Sequence, residues 1–491
     1  MKIKKILKLF SFVFVIALST AVLYHCAVNP VTGKKELMLI SEKAEISLGR
    51  DVDRGIKAEY GIYDDPQLNA YVAAMGKKLL PHIHRPNITY TFAVLDTPVQ
   101  NAFAAPGGYI YITRGLMAMM NSEAELAAVL GHELGHVNAR HSARSMSRSI
   151  LLSVGLIVAG ELSKKIKDMA PLAGVAGQLL FLKYSRSDEY QADALGIEYA
   201  SKAGYQAGEM VNFFNSLQRL TKMKGGGHLP NFLSTHPLTP KRIAKVQERL
   251  KAPEYPTTPL LVQKNSYLRK INGLVYGMNP RQGYVQGSVF YHPEMKFYFN
   301  IPPTWKVQNT PKKVTLAPQN GKAVLIFSPG STTKNLNEYV DEQLASLKKI
   351  NVLSQGFRNI NGMQAFHKMV KTSLEEGVSQ NQKQDIQVRV SSIKKGGSVF
   401  NFFAATASGD YYTYQNAIET TVGSFNNLTD ANFLRRKAAR VALRQASKQQ
   451  SLRNFLQALQ VDQKNWEHIA LINSMDLDAQ LSRGQVVKVI Q

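Results

Sequence analysis

Asn121–Ser149 reads NSEAELAAVLGHELGHVNARHSARSMSRS, and its centre, Gly131-His132-Glu133-Leu134-Gly135-His136, decides how the rest is read. Ser122 followed by Glu125 is a capping-box start. Ala, Leu, Val and Glu fill Ala124–Leu134, so the segment is expected to be a helix. On a helix His132 and His136 lie four apart and share a face. Two imidazoles so placed can reach one zinc ion, and Glu133 can address a water held there. With 11 His and 35 acidic residues in 491, the pattern H-E-x-x-H arises by chance in roughly one such chain in a hundred. The other reading is a pair of surface histidines. Ala127, Ala128, Val129, Leu130 and Leu134 speak against it, because they make the helix a buried one. His141, five after His136, should point elsewhere on the same helix.

Downstream, Ser185–Asp193 reads S-R-S-D-E-Y-Q-A-D. Glu189 and Asp193 are one helical turn apart. A catalytic zinc needs three protein ligands and one open position. Glu189 can be the third ligand, and Asp193 can accept from the far N–H of a ligating imidazole. For this pair alone a solvated acidic helix face is the simpler reading. A third histidine ten residues after His132 would be another solution, but Ser142 stands there.

Upstream, Ser41–Tyr60 and Pro66–Leu80 are expected as amphipathic helices and Ile88–Asp96 as a strand. Asn101-Ala102-Phe103-Ala104-Ala105-Pro106-Gly107-Gly108 is expected as a loop before a second strand, Tyr109–Thr113. Such an edge can hold an extended peptide by strand addition; an ordinary hairpin turn is the alternative.

Length and charge widen the picture. At 491 residues more than one domain is expected. Sixty Lys and Arg against 35 Asp and Glu give a formal charge of +25, which suits an anionic membrane surface, a cell-wall polymer or nucleic acid. No nucleic-acid motif is present, so an envelope setting is expected. Residues 1–25 combine Lys2, Lys4, Lys5 and Lys8 with an apolar Leu9–Leu23, as signal peptides do. Cys26, the only cysteine, follows directly and is expected to be acylated. Tyr24 and His25 are bulky for that cleavage; a cut after Ser19-Thr20-Ala21 or an uncleaved anchor is the alternative. Asn29-Pro30-Val31-Thr32-Gly33 is a turn signal. Ile150–Gly160 and Ala170–Leu182 are too short to span a bilayer and are expected as core or lid helices.

These motifs together resemble the HtpX/BepA/LoiP-like gluzincin zinc metallopeptidases of the Ste-type clan. The resemblance rests on His132–His136, on Glu189 with Asp193, and on Asn101–Gly108 before a strand. Thr235-His236-Pro237 with Arg242 resembles that family's closing motif, and Cys26–Gly33 the mature start of its envelope lipoprotein branch. The match covers roughly Cys26–Leu250. It implies one zinc per chain held by His132, His136 and Glu189, with Asp193 behind and Glu133 as general base. It also implies a substrate strand along Asn101, Ala102, Phe103, Ala104, Gly107, Gly108 and Tyr109. His236 has two readings: an oxyanion donor assisted by Arg242, or a fourth zinc ligand that closes the site. Arg242 can instead pair with Asp193.

Past a proline-rich linker at 251–266, residues 267–430 are expected as an α+β domain around an antiparallel sheet. Strands are placed at Val289–Phe299, Lys313–Leu316, Ala323–Phe327, Gly362–Met369, Ile386–Lys394, Ser398–Ala405 and Gly409–Tyr414, and helices at Leu336–Lys348 and Asn416–Ser424. Phe297–Trp305 resembles the start of PsbP/Mog1-like domains. Residues 431–491 hold a basic run and then strand Arg440–Gln445, helices Gln450–Leu459 and Asn465–Met475, and strand Gln485–Ile490. Asn473 and Leu481–Val489 resemble the end of a LysM wall-binding module, here without the usual Gly-Asp-Thr-Leu start.

The expected fold class is therefore α+β: a mainly helical zinc-peptidase domain at 26–250 with a small sheet, the antiparallel-sheet domain, and a small LysM-like βααβ module. The expected activity is zinc-dependent hydrolysis of misfolded or unassembled envelope proteins. The expected location is the periplasm, attached to the outer membrane through Cys26, with peptidoglycan as a further partner and no nucleic acid. Two alternatives remain at this point: a non-proteolytic assembly factor using the same groove, and a wall-binding anchor protein.

Overall fold

The catalytic segment folds as expected, a helix from Glu123 to Asn138 started by Ser122, whose hydroxyl accepts from the Glu125 N–H. It lies in a computed structural model that describes residues 26–158, 184–223, 231–251, 260–347, 349–375 and 383–491. The expected signal peptide and the stretch Ala170–Leu182 lie outside these residues, as does most of the linker. Among the described residues no helix is long and apolar enough to cross a membrane.

The chain opens with a hairpin, β1 (Cys26–Val28) and β2 (Lys35–Leu37), closed by Asn29, whose Oδ1 accepts from the Val31 N–H. Helices α1 (Glu42–Tyr60) and α2 (Pro66–Leu79) follow, capped by Ser41 and Asp65. A three-stranded sheet comes next: β3 (Thr91–Leu95), β4 (Ala102–Ala105) and β5 (Tyr109–Thr113), in the order β3-β5-β4. Then come α3 (Arg114–Met119), α4 (Glu123–Asn138), α5 (His141–Val158), α6 (Arg186–Lys202), α7 (Glu209–Met223), α8 (Asn231–Thr235), α9 (Pro240–Arg249) and α10 (Lys264–Ile271).

Asn101–Gly108 is not a loop throughout, as the sequence suggested. Ala102–Ala105 is strand β4, paired antiparallel with Tyr109–Ile112; only Pro106–Gly108 makes the turn. Gly107 and Gly108 sit at φ +77° and +98°, and a Cβ on Gly108 would lie 2.3 Å from the Thr89 carbonyl oxygen. Only glycine fits such a corner.

The sheet-rich part has two sheets. One is four-stranded, from β6 (Tyr284–Gln286), β7 (Val289–His292), β8 (Phe297–Asn300) and β16 (Asn426–Asn427). The other has the order β12-β13-β14-β15-β11-β10-β9. Its strands are β9 (Lys306–Asn309), β10 (Val314–Ala317), β11 (Ala323–Gly330), β12 (Asn351–Ile360), β13 (Met363–Glu375), β14 (Lys383–Lys395) and β15 (Ser398–Ala407), all antiparallel. Phenylalanines 297, 299, 327, 400, 402 and 425 fill the core between them. α11 (Leu336–Leu344) covers the far side.

Three expectations fail here. Val289–Phe299 is two strands, because Lys296 turns the chain at φ +53°. Gly409–Tyr414 is not a strand but the start of helix α12 (Tyr411–Gly423), which buries Tyr411, Ile418 and Val422 at helical spacing. Strand β12 was not foreseen. Its outer position leaves Val352, Leu353 and Phe357 exposed, so no buried face wrote a two-residue period into the sequence.

The C-terminal segment pairs β17 (Val441–Gln445) with β20 (Val486–Ile490), and Gln450–Ser451 with Gln480–Leu481, around helices Leu452–Ala458 and Trp466–Ile472. Val441, Leu471 and Ile472 enter the same core as the catalytic helix, as do Tyr267, Leu268 and Ile271 of α10. The boundary expected at 267 thus falls inside a helix of the first core.

Candidate metal centre

Glycine spacing brings the acidic helix to the histidines. A Cβ on Gly131 would lie 2.9 Å from the Gly196 carbonyl oxygen, and one on Gly135 would lie 3.1 Å from Ala192 Cα. Gly131 and Gly135 on α4 therefore let α6 pack backbone to backbone. The crossing turns Glu189 and Asp193 inward, so neither is a solvated face: they are 1% and 3% exposed. The α8 stretch and the Pro237 corner bring in His236 from the third side.

Four donors meet. Nε2 of His132 and Nε2 of His136 are 3.0 Å apart, and Nδ1 of His236 is 3.2 Å from the former. Glu189 Oε1 lies 3.0 Å from His236 Nδ1 and 3.5 Å from His136 Nε2. Donors held about 2.0–2.1 Å from one zinc ion sit about 3.3 Å from one another in a tetrahedron, so this set fits a single ion. Among the described residues it is the one His/Cys/Asp/Glu group so arranged. Glu133 stands beside it, with Oε1 3.6 Å from His236 Nε2. These five residues are at most 1% exposed.

The electrostatics follow from burial. Desolvation raises the Glu133 pKa against the partial opposition of His236, His132 and the Ala104 N–H, and neither carboxylate oxygen closes a hydrogen bond. Desolvation, helped by the neighbouring histidines, pushes His136 well below its ordinary value, which keeps it neutral and able to ligate. Burial would lower His236 too, but Glu189 and Glu133 outweigh it and raise its pKa. Glu189 resists its own burial and stays below the usual carboxylate range because of His236 and Arg242.

Asp193 Oδ1 lies 2.9 Å from Nδ1 of His132. Arg242 grips the same carboxylate in a fork, at 2.8 and 2.7 Å, and also reaches Glu189 Oε2 at 2.8 Å. Burial opposes the charge on Asp193, yet Arg242 holds its pKa at about 2. Arg242 therefore sits behind the donors, paired with Asp193, rather than beside Glu133.

Strand β4 is the outer strand of its sheet, with the Ala104 N–H turned toward Glu133. Asn101, Ala102, Phe103 and Ala105 are buried, whereas Ala104 and Tyr109 are half-buried. The chain just before β4 is tied to the His236 segment: the Phe232 N–H donates to the Gln100 carbonyl at 3.1 Å.

Three neighbours were not singled out from the sequence. Tyr184 stacks on His136 with ring centroids 4.0 Å apart, and Phe232 stacks on His236 at 4.7 Å. His141 does not point away from His136: their Nδ1 atoms are 2.9 Å apart. The helix breaks at Ala139–Arg140, and Arg140 takes φ +54°. Nothing in the spacing announced that break. Nothing is described of the side chain of Cys26, which lies in β1.

Residues 66–250 match Peptidase family M48. Over 237 residues the chain is 33% identical to a putative beta-barrel assembly-enhancing protease of Vibrio cholerae, covering 46% of this chain and 48% of that one. It is 28% identical to the beta-barrel assembly-enhancing protease of Escherichia coli K12, over 50% of this chain and 51% of that one. It is 27% identical to the mitochondrial metalloendopeptidase OMA1 of Schizosaccharomyces pombe, over 46% of this chain and 67% of that one. The chain thus spans about half the length of the two bacterial relatives. Among solved structures, cyanobacterial PsbP of Synechocystis matches 30% of the chain and 96% of its own, with 12% identity and a TM-score of 0.23. A likeness at that level carries no argument.

Proposed function

Residues 66–250 form a Peptidase family M48 domain, and on that premise we propose that this protein is a zinc-dependent endopeptidase of the bacterial cell envelope that cleaves misfolded or unassembled envelope proteins. The observation that carries the reading is the convergence of His132, His136, Glu189 and His236 within 4.8 Å beside the buried Glu133. Zinc there would supply Lewis acidity, activating water at neutral pH and polarising a carbonyl. Glu133, buried and with its pKa raised, takes the proton of the attacking water and delivers it to the leaving amine. Strand β4 aligns the substrate as an added strand, its free edge facing Glu133.

His236 serves in this reading as a fourth donor. Its Nδ1 faces the same point as the other three donors, and four protein ligands leave no open position. The protein is then latent until the His236 segment moves. The bacterial relatives' names support the envelope setting. Attachment through an acylated Cys26 is part of the proposal, as is the choice of unfolded envelope polypeptides as substrate. A pure assembly factor has no use for the general base at Glu133.

The test pairs a metal assay with cleavage of an unfolded test protein. Wild type should carry one zinc per chain and cleave. Glu133→Gln should keep the zinc and lose cleavage, because an amide cannot accept the proton. Loss of zinc in that variant would make Glu133 a ligand. Zinc without cleavage in the wild type would return the assembly factor.

A further inference from the structure

His132 and His136 both present Nε2 to the same point, and each needs its far nitrogen held to do so. For His132 that partner is Asp193. For His136 it is His141, a residue that an unbroken helix would place about 140° away around the axis. The break that brings it back is itself anchored. Arg140 holds a left-handed conformation of order 1–3 kcal/mol in cost. Its Nε donates to Glu45 Oε2 at 2.8 Å and its Nη2 to the Ile40 carbonyl at 3.0 Å. Glu45 is buried, and Arg85 pairs with it at 2.9 Å.

The two facing nitrogens, Nδ1 of His136 and Nδ1 of His141, share one proton, and the surroundings of His141 decide which carries it. Nε2 of His141 lies 3.0 Å from Gln191 Oε1 and 3.9 Å from Asp188 Oδ1. Both oxygens only accept, so the His141 proton is on Nε2. Its Nδ1 is then a lone pair, and Nδ1 of His136 must be the donor. A neutral His136 protonated at Nδ1 has its own lone pair at Nε2, the atom turned toward His132, Glu189 and His236. We propose that His141, itself oriented by Gln191, is a positioning residue that fixes His136 in the metal-binding tautomer. The relay runs from Gln191 through His141 to Nδ1 of His136. Arg144 fixes its outer end by pairing with Asp188 and, at 2.8 Å, with Glu36 of the N-terminal hairpin.

This rests on the zinc reading above, so the experiment separates the two. Zinc affinity of the full chain is measured by competition with a chromophoric chelator, with the melting temperature of the metal-free protein alongside. His141→Leu keeps the bulk and removes the acceptor; it should weaken zinc binding about 10–100-fold. His141→Asn puts a carbonyl oxygen where Nδ1 stood and should restore most of the affinity, while the two metal-free proteins melt together. Gln191→Leu, which leaves the ring in place and frees its tautomer, should weaken zinc about tenfold and decides the matter if His141→Leu does not fold. Wild-type affinity in His141→Leu or Gln191→Leu overturns the proposal, as does an Asn variant as weak as Leu. A wild type that takes up no zinc overturns the zinc reading instead.

Discussion

Buried polar side chains behave oppositely in the two large parts of this protein. In the peptidase part, His132, His136, Glu189 and His236 turn their donor atoms toward one point, and Asp193, Arg242 and His141 stand behind them. In the sheet-rich part the buried polar groups close on each other. Ser392 Oγ donates to Asn401 Oδ1 at 2.7 Å, Asn401 Nδ2 donates to the Tyr339 hydroxyl at 3.0 Å, and Arg389 pairs with Glu419. A polar group satisfied by a neighbour contributes to stability and asks for nothing further. A buried set of like donors is unfavourable until a ligand satisfies it. The contrast places chemistry in the first part and scaffolding in the second.

The comparison is broken most severely at His236. If it is the fourth donor, His236→Ala should lower zinc affinity by more than the roughly 10–100-fold of losing a group behind a ligand, while cleavage at saturating zinc stays equal or rises. The oxyanion reading demands the opposite sign, a loss of about 10²–10³-fold in turnover with zinc retained. A cleavage assay and a chelator titration on this one variant separate the two.

The C-terminal segment, though distant in sequence, belongs energetically to the first part. Lys488 is fully buried and donates to the Ala118 and Met120 carbonyls at 2.9 and 2.8 Å. These carbonyls lie between α3 and the cap of the catalytic helix. Asn121 also donates to Ser474 Oγ at 2.9 Å. Burial lowers the Lys488 pKa, so the charge is tolerated only because the carbonyls receive it. Lys488→Met keeps the stem and strands both acceptors, each worth about 1–3 kcal/mol. The catalytic unit should lose about 2–5 kcal/mol and melt earlier as one transition. An unchanged melting temperature would make the C-terminal segment an appendage.

The same contrast explains what the sequence disclosed. The catalytic helix was legible because its cap, apolar filling and two histidines all lie within one turn-by-turn pattern. Glu189 was legible only through a family resemblance. Its burial depends on Gly131, Gly135 and Gly196, which have meaning only once two helices cross. His141 was misread because a single left-handed residue, Arg140, redirects it, and the network that permits this comes from Glu45 and Arg85. β4 was misread as loop because Ala-Phe-Ala-Ala is buried on both faces and does not alternate. In the sheet-rich part most strands were found from β-branched and aromatic runs, but the edge strand β12 writes no period.

The smallest effect should come from the closed polar network, and its smallness is the point. Tyr339 places its hydroxyl over Gly330, where a Cβ would lie 2.5 Å from that oxygen. Tyr339→Phe removes only this hydroxyl and leaves Asn401 Nδ2 without its partner in a region where Asn401 is 2% exposed. One lost hydrogen bond of this kind costs about 1–2 kcal/mol, because Asn401 keeps its other contact to Ser392. Denaturant unfolding should show that loss, with zinc affinity and cleavage both at wild-type level. If cleavage fell while the stability loss stayed this small, the sheet-rich part would be coupled to the metal centre, and the division between chemistry and scaffold would not hold.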